Sequence, residues 1–530
     1  MITGGITIGP ILNTLGSAKK ERELWFGSYM FSWLMGHLCA ALHKEGCNII
    51  LPTLHPDATT GRVGLYPDRL YFTSENSKEE IAEWITAASS DFVNTLYGIY
   101  KSVHARWQTG SNPDESKVKK IIDDYLQIKW FVADGKVTIG EALKHLETAE
   151  LYTLADDLLA DEPCDRCRML PHTLVVHDRY EESYGQKLYL CPICAIKYGA
   201  HVSKLVSKKT GINAEKPFPS IVHIGAKEIA DKFIPVNEVE DDWLYNETNQ
   251  SLIAKGSKYL SYFAVLCLDM DNAGKLLAAI QDDSGKVKEF SDTLYKFNRE
   301  VADLIDAYGG ETIYAGGDDI LALIPVRNLG SRLSSENRQI DNLLALVDLI
   351  NKKFGEVFHN GWLQSEGEDE YPRLSLSFGI SMQYLKYPLK DALQSAYSCL
   401  FGKAKLTKNT LSMVIRKHAG ATFEISLDLA DLPAHLEVFT AQMNENSLPK
   451  GFYDSLGKIA DKLSRTEVSR IGNLLANHFN EEHHKAARGE FEKLEAILIN
   501  DLDKAGEVKD KEAAVESIVN LYRLAKLLEV

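Results

Sequence analysis

The sequence is short of positive charge. Its 530 residues include 59 lysines and arginines against 75 aspartates and glutamates, a formal net charge of −16. Such a chain cannot hold nucleic acid by bulk attraction, so any RNA contact needs local basic surface or partner subunits. The 45% apolar and 25% charged content excludes a disordered chain and a collagen-like repeat. At ~150 residues per domain, the length predicts three or four domains.

A secretory leader is not indicated, because no basic segment followed by an apolar core opens the sequence. One run, residues 24–43, lacks Asp, Glu, Lys and Arg and is long enough to cross a bilayer. Two serines, two glycines and two histidines lie within it. We therefore predict a buried core helix there, no membrane partner and a cytoplasmic location.

Cysteine is sparse, at eight residues, and half of them form two CxxC pairs. The paired residues are Cys164, Cys167, Cys191 and Cys194. Two such pairs, 23 residues apart, predict a tetrahedral Zn²⁺ site, which is structural because four thiolates leave no open position. A redox CxxC is the alternative. His177 and Asp178, between the pairs, are interpreted as loop or strand surface, since the sequence offers no further ligand set for an HD-type phosphohydrolase.

Hydrophobic periodicity divides the chain into four predicted units, at residues 1–150, 151–255, 256–425 and 426–530. The first is an α+β unit, and the second carries the cysteine pairs. The third has the order strand, helix, β-hairpin, helix, strand, which is the βαββαβ ferredoxin-like arrangement. The fourth has helical periodicity and no proline after Pro449. The predicted fold class is therefore α+β with a helical C-terminal domain.

The third unit contains the sharpest chemical signal, the segment YAGGDDIL. Gly316 and Gly317 permit a tight hairpin and close approach of a phosphate. Asp318 and Asp319 follow at the turn, and Asp269 ends an apolar strand upstream. In a βαββαβ sheet the end of the first strand lies beside the central hairpin, so the three carboxylates are expected to converge. They would repel one another unless a cation sits between them.

Mg²⁺ or Mn²⁺ suits such a site, because these ions take oxygen ligands from carboxylates and substrate phosphates. Two ions can assist a 3′-hydroxyl that attacks an α-phosphate, the chemistry of a palm-type nucleotidyl transferase or cyclase. The alternative is that GGDD is only a polar turn. Two roles stay open for Asp271: it is either a residue of the site or the cap of the following helix. Two roles also stay open for Lys405: it either contacts a phosphate or is a solvated residue at a helix end.

Several segments together resemble one family. They are GPILNTLGSAKKERELWFGSYMFSWL, PCDRC, CPIC, FPSIVHIGAKEIA, FAVLCLDMDNAGKLL, YAGGDDILAL, LSFGISMQYLKYPLKDAL and GKAKLTKNTLSMVI. The sequence resembles the large palm-domain subunit of type III CRISPR effector complexes, closest to the Cmr-type (III-B) branch, over roughly residues 5–425.

The resemblance implies two ferredoxin-like palm (nucleotidyl cyclase-like) domains, the first degenerate and the second catalytic, with a zinc-binding region between them. It implies a nucleotidyltransferase that makes cyclic oligoadenylates from ATP when target RNA binds. The implied partners are other Cmr-type subunits, guide CRISPR RNA and target RNA. The implied residue roles are metal binding and catalysis by Asp269, Asp318 and Asp319, nucleotide binding by Gly316, Gly317 and Lys405, and zinc binding by Cys164, Cys167, Cys191 and Cys194.

The sequence departs from the family pattern at its start. Many members begin with an HD nuclease domain, whereas this sequence starts at the first palm-like domain, so we expect no DNase activity from this polypeptide. Two alternatives to the cyclase stay open. One is a non-catalytic, ATP-binding scaffold subunit of the same complex. The other, more remote, is a diguanylate cyclase, whose GG[DE]EF motif differs here at Asp319 and Ile320.

Overall fold

The protein is described from a computed structural model. The structure describes residues 1–55, 61–107, 114–149, 163–176, 187–211, 218–229, 257–335, 338–362, 371–443, 448–479 and 485–529. His177 and Asp178 lie outside these ranges.

The first unit is a ferredoxin-like palm. Its elements are β1 (Ile2–Gly9), α1 (Ile11–Gly16), α2 (Glu21–Lys44), β2 (Asn48–Leu51), β3 (Arg69–Ser74), α3 (Lys78–Trp107), α4 (Glu115–Tyr125), β4 (Gln127–Asp134) and α5 (Ile139–Ala149). The sheet has the order β2-β3-β1-β4, with every neighbour antiparallel. In the segment RVGLYPDRLYFTS, residues 62–74, only the second half forms a strand, β3. Gly64 instead makes an isolated bridge to Tyr314 of the other palm.

Helix α2 is the centre of the first core, as predicted for the run without charges. Trp25, Phe26, Met30, Leu34 and Leu38 are all nearly or fully buried in it. The uncharged run is therefore protein interior. Among the helices in the described ranges, none combines the length and apolar character that a membrane crossing requires.

The cysteine-bearing unit is a small lobe placed between the palms in the chain. Its described elements are β5 (Leu174–Val176), β6 (Leu188–Leu190), α6 (Pro192–Gly199), a 3₁₀ turn (Ala200–Val202), α7 (Lys204–Thr210) and α8 (Ile221–Gly225). Strands β5 and β6 form a two-stranded antiparallel ribbon. The described apolar residues of this lobe join the same core as α2 and form no separate core of their own.

The second palm has the predicted βαββαβ order and four further strands. After a 3₁₀ turn (Lys258–Ser261), its elements are β7 (Tyr262–Asp271), α9 (Ala273–Ile280), α10 (Ser284–Tyr308), β8 (Glu311–Gly316), β9 (Asp319–Pro325), β10 (Ser334–Ser335), β11 (Arg338–Gln339), α11 (Leu343–Phe354), a π-helical segment (Gly355–Trp362), β12 (Ser375–Tyr384), α12 (Leu389–Cys399), a π-helical segment (Leu400–Ala404), α13 (Lys405–Thr407), β13 (Thr410–Arg416) and β14 (Thr422–Asp428).

The main sheet of this palm has the order β14-β13-β12-β7-β9-β8. Strand β13 is parallel to β12 through the α12 crossover, and β14 adds an antiparallel edge. The one helix predicted between the first strand and the β-hairpin is two helices, α9 and α10. The break occurs because the Asp283 carboxylate accepts hydrogen bonds from the backbone N–H groups of Gly285 and Lys286 and starts α10 anew.

The C-terminal unit is helical, as predicted. Its described helices are α14 (Leu432–Gln442), α15 (Lys450–Lys458), α16 (Ala460–Arg465), α17 (Val468–Ala476), a 3₁₀ turn (Lys485–Ala487), α18 (Arg488–Lys504) and α19 (Val508–Leu528). Helix α19 covers the edge of β14, where the Asn520 side chain donates to the Glu424 carbonyl (2.8 Å) and the Ser426 N–H donates to Ser517 (3.2 Å). The predicted fold class, α+β with two palm-like sheets and a helical C-terminal part, is confirmed.

Candidate metal and nucleotide centre

The structure brings the three predicted aspartates together at one end of the second palm. Asp269 and Asp319 are directly opposite partners across β7 and β9. Asp318 lies in the turn before β9, and its carbonyl accepts a hydrogen bond from the Met270 N–H (3.0 Å). The convergence expected from the βαββαβ pattern is therefore present, since strand pairing alone fixes these backbones beside each other.

The two glycines shape the hairpin between β8 and β9. Gly317 has a left-handed backbone conformation (φ +64°), which strongly favours glycine. A Cβ on Gly317 would lie 3.3 Å from the Pro67 side chain of the first palm. The Gly317 carbonyl accepts a hydrogen bond from the Asn298 side chain of α10 (2.8 Å). The turn is thus held by a helix behind it and approached by the other palm in front.

The carboxylates disfavour one another's ionisation. Burial, followed by the charge of Asp269, raises the pKa of Asp318 to about 6. The enclosing protein raises the pKa of Asp319 well above its usual value, and the charges of Asp318 and Asp269 add to the effect. The Asp319 side chain is nevertheless exposed on the side of the cavity. A cation bound there would relieve the part of the shift that comes from carboxylate repulsion.

Lys405 contacts this cluster. Its ammonium pairs with Asp269, donates to the Met270 carbonyl (2.9 Å) and lies 3.3 Å from Asp271 Oδ1. Partial burial works to lower the pKa of Lys405, but the hydrogen bond to Asp269 and the charges of Asp269 and Asp271 outweigh it and raise that pKa. The lysine side chain is 23% exposed, so it lies at the open side of the carboxylate cluster.

A cavity of about 300 Å³ adjoins the aspartates. Both palms line it. The first palm contributes residues of α1, α2 and the loop before β3, and the second contributes the hairpin and the end of α12. Representative lining residues are Ile11, Ser28, Ser32, Tyr66, Asp68, Tyr314, Asp319, Tyr397 and Phe401. An apolar cavity with a few polar groups beside a carboxylate cluster is typical of a small-molecule site.

Sequence reasoning missed two residues of this centre. Asp68, from the first palm, lines the cavity and adds negative charge near Asp318 and Asp319. Nothing in its local sequence marks it, because the contact joins two domains. Asn298 is a polar residue on the buried face of α10, between Phe297 and Val301. A buried amide in an apolar helix face was the signal that could have found it.

The four cysteines also come together. Their sulfur atoms all lie within 4.8 Å of one another, and each cysteine is a free thiol. The Cys191 Sγ accepts a hydrogen bond from the Cys194 N–H (3.4 Å), and the Arg166 N–H donates to Cys164 Sγ (3.4 Å). Backbone N–H groups aimed at sulfur are the donors that stabilise thiolates. The set therefore fits a tetrahedral metal ion with four sulfur ligands.

The cysteine lobe is tied to the start of α2 by buried charges. Arg166 Nε lies 3.1 Å from Glu23, and both side chains are almost fully buried. The Lys197 ammonium donates to the Thr14 carbonyl (2.7 Å) and to Ser17 (2.6 Å). Since α1 lines the cavity, the lobe helps to fix one cavity wall.

Comparisons with known proteins agree with this geometry. Residues 262–412 match the family described as Cas10/Cmr2, second palm domain, and residues 4–108 match the CRISPR-associated protein Cmr2, N-terminal family. A curated relative, the CRISPR system Cmr subunit Cmr2 of Pyrococcus furiosus, is 26% identical over 322 residues. That match covers 47% of this chain and 34% of the relative, so the chain matches about a third of the relative's length.

Solved structures share the fold. A type III-B Cmr-beta structure in the apo state has a TM-score of 0.58 at 11% identity, covering 90% of this chain and 76% of that one. The structure of Cmr-beta bound to cognate target RNA has a TM-score of 0.59 at 10% identity, and the match covers 90% of this chain and 78% of that one. The structure of the apo Csm1-Csm4 cassette has a TM-score of 0.53 at 12% identity, and the match covers 99% of this chain and 70% of that one.

Proposed function

The chain belongs to the Cas10/Cmr2 family, and from that premise we propose that it is the large subunit of a type III-B CRISPR effector complex. In this proposal it makes cyclic oligoadenylates from ATP when target RNA pairs with the guide RNA. The observation that carries the proposal is the convergence of Asp269, Asp318 and Asp319 beside a cavity lined by both palms. One of the structural relatives is described as bound to cognate target RNA.

In this mechanism Asp269, Asp318 and Asp319 would hold Mg²⁺ or Mn²⁺. Such ions would supply Lewis-acid stabilisation of the attacking 3′-oxygen and of the pyrophosphate leaving group. Gly316 and Gly317 keep the hairpin free of side chains where the phosphates pass. The cavity between the palms takes the apolar faces of the nucleotide and limits access of water.

Lys405 contributes a mobile positive charge beside the phosphates in this proposal. Its pairing with Asp269 places the ammonium at the carboxylates before substrate arrives. Asp269 would hold a divalent cation, and the Lys405 ammonium would pair with triphosphate oxygens while it stays in the cleft.

The test is to incubate the protein with ATP and Mg²⁺ or Mn²⁺, alone and reconstituted with partner subunits, guide RNA and matching target RNA, and to analyse the products by mass. We expect cyclic oligoadenylates only in the presence of the matching RNA. A complex that binds its target RNA but forms no product would contradict the cyclase and favour the ATP-binding scaffold.

We also propose that Cys164, Cys167, Cys191 and Cys194 hold a structural Zn²⁺. The purified chain is expected to contain one zinc per molecule, and Cys167→Ser to lose it and unfold at a lower temperature, because thiolate–metal bonds replace a core that the lobe lacks. Elemental analysis and thermal melts measure both effects. Cys399→Ser, a buried cysteine outside the cluster, is the control and should keep the zinc. Full zinc content in Cys167→Ser would contradict the assignment.

A further inference from the structure

Asp271 is the second carboxylate at the end of β7, two residues after Asp269. Its side chain is completely buried, whereas that of Asp269 is 13% exposed. It does not cap the following helix, because the cap position of α9 is Asn272 and no side chain bonds the helix start there. A buried carboxylate at the edge of an active cleft needs another explanation, since it is costly to bury unless it is paired.

Protein donors already occupy both oxygens of Asp271. Oδ2 accepts hydrogen bonds from Ser375 Oγ (2.7 Å), from Ser377 Oγ (2.9 Å) and from the Asn409 backbone N–H (3.0 Å). Oδ1 shares the same Ser377 hydroxyl donor (3.0 Å) and faces the Lys405 ammonium at 3.3 Å. Carboxylate oxygens bound in this way are poorly placed to serve as metal ligands, because a cation would have to displace these donors.

The turn held by Asp271 has an unfavourable backbone. Lys408 has φ +61° and ψ +165°, a region that glycine occupies almost alone. Asn409 follows with φ +46°. Such residues persist only where the surroundings fix them. Here the Asn409 N–H is bonded to Asp271, and the Asn409 side chain donates to Asp428 (2.7 Å).

The strained turn directly follows α13, the short helix that begins at Lys405. The Lys408 side chain donates to Asn272 (2.7 Å), so the turn is also held from the strand side. If the turn relaxed, Lys405 would move relative to Asp269. Holding this strained turn in place is therefore a means of fixing the direction of the Lys405 side chain.

We propose that Asp271 is a positioning residue that anchors the segment 405–409 and thereby points Lys405 at the metal and phosphate site. This inference rests on the proposed function, because it assigns Lys405 to the nucleotide phosphates. It assigns different roles to the two aspartates at the end of β7: Asp269 is a metal ligand, and Asp271 anchors the lysine.

The test compares Asp271→Asn, Lys405→Met and the double variant in the reconstituted complex. The first measurement is the affinity for a non-hydrolysable ATP analogue with Mg²⁺. We expect each single variant to bind it about tenfold more weakly, the effect of one charge-assisted hydrogen bond. The double variant should be no weaker than Lys405→Met alone, because both changes remove the same contact.

Two readouts distinguish anchoring from metal binding and from general damage. Mn²⁺ binding to the full chain, followed by electron paramagnetic resonance, should change less than about twofold in Asp271→Asn. Amide hydrogen exchange of residues 405–409 should become faster in Asp271→Asn but not in Lys405→Met. Loss of Mn²⁺ binding in Asp271→Asn would make Asp271 a metal ligand and overturn the proposal. Additive losses of ATP-analogue affinity would overturn it as well.

Ser377→Ala tests the same anchor if Asp271→Asn does not fold, because it removes a donor from Asp271 and leaves the carboxylate. Ser381→Ala is the matched control, since Ser381 is equally buried in β12 but bonds Gln383 instead. A wild-type complex that binds no ATP analogue would refute the proposed function and this inference with it. A wild type that binds ATP while Asp271→Asn and Ser377→Ala bind equally well would refute this inference alone.

Discussion

At the scale of single residues, the candidate centre has more negative than positive charge. Asp269, Asp318 and Asp319 converge there, Asp68 adds a fourth carboxylate nearby, and Lys405 is the contacting cation. One ammonium cannot neutralise this set. Protons on Asp318 and Asp319, or divalent cations, must supply the balance, which is consistent with the raised pKa of both residues.

The first prediction concerns Asp318→Asn combined with Asp319→Asn. Oligoadenylate synthesis should fall at least about a hundredfold, because two metal ligands lose their charge. In the absence of metal the melting temperature should rise, because carboxylate repulsion is removed at a site built for function. Product analysis by mass and thermal melts in chelator measure the two effects.

Asp303→Asn is the matched control, since it neutralises an exposed carboxylate of α10 away from the hairpin. It should leave synthesis unchanged, and every variant should still bind target RNA. Synthesis near the wild-type level in the double variant would place the chemistry elsewhere. A lower melting temperature in chelator would contradict the repulsion.

The sequence predicted the three converging aspartates because local signals marked them. A carboxylate ends an apolar strand, and GGDD lies between two others, so the sheet pattern alone brings them together. Asp68 and Asn298 could not be predicted in this way. Asp68 reaches the centre from another domain, and Asn298 acts through a helix packed behind the hairpin. Both contacts depend on tertiary packing.

At the scale of helices and strands, β14 shows which features hydrophobic periodicity can predict and which it cannot. Residues 422–428 alternate between exposed and buried, the period-2 pattern of a half-buried strand. The strand continues across the boundary predicted at residue 425. The alternation was visible in TFEISLD, but its pairing with β13 was not. Sequence patterns indicate an element's type more reliably than its partner or its end.

A second prediction concerns the pairing of α14 with α18. His435 Nε2 lies 2.9 Å from the Asp501 carboxylate, and its Nδ1 lies 2.9 Å from the Asp431 carbonyl. Burial alone would lower the pKa of His435, but hydrogen bonds to Asp501 and Asp431 and their charges raise it above its usual value. Protonated His435 therefore stabilises the fold, an effect fully present below about pH 6.5 and lost as the pH rises through the raised pKa.

Urea unfolding from about pH 5.5 to 9 tests this prediction. The free energy of unfolding of the wild type, relative to His435→Gln, should decrease as the pH rises through this range. His43→Gln replaces an exposed histidine and serves as the control. Its free energy of unfolding should depend on pH as that of the wild type does. A stability difference between wild type and His435→Gln that does not change with pH would show that the pair is not charged.

At the scale of the whole molecule, the cavity depends on the contact between the two palms. The Ala315 N–H donates to the Gly64 carbonyl (3.0 Å), and the Trp25 indole donates to the Arg62 carbonyl (2.7 Å). The Arg62 guanidinium lies 2.8 Å from Glu311 of β8. The segment 61–68 is thus held between α2 and the edge of the second sheet. These contacts join residues far apart in the chain, so no local sequence pattern indicates them.

The third prediction is that Arg62→Ala loosens this contact and weakens ATP binding. Burial raises the pKa of Glu311 and the Arg62 charge opposes that rise, so removing Arg62 leaves a mostly buried carboxylate without its partner. We expect a loss of about 1–2 kcal/mol in unfolding free energy, moderated because Arg62 is partly exposed. The apparent KM for ATP should rise more than kcat falls, because segment 61–68 lines the cavity while the aspartates stay in place.

Arg69→Ala is the matched control for this prediction, because Arg69 pairs with Glu147 within the first palm. It should leave the KM for ATP unchanged. Arg62→Lys should recover part of the loss, since it restores the charge without the planar donor pair. Equal KM values for Arg62→Ala and the wild type would show that the second palm binds ATP without support from segment 61–68. The first palm would then be a structural neighbour of the site, with no part in forming it.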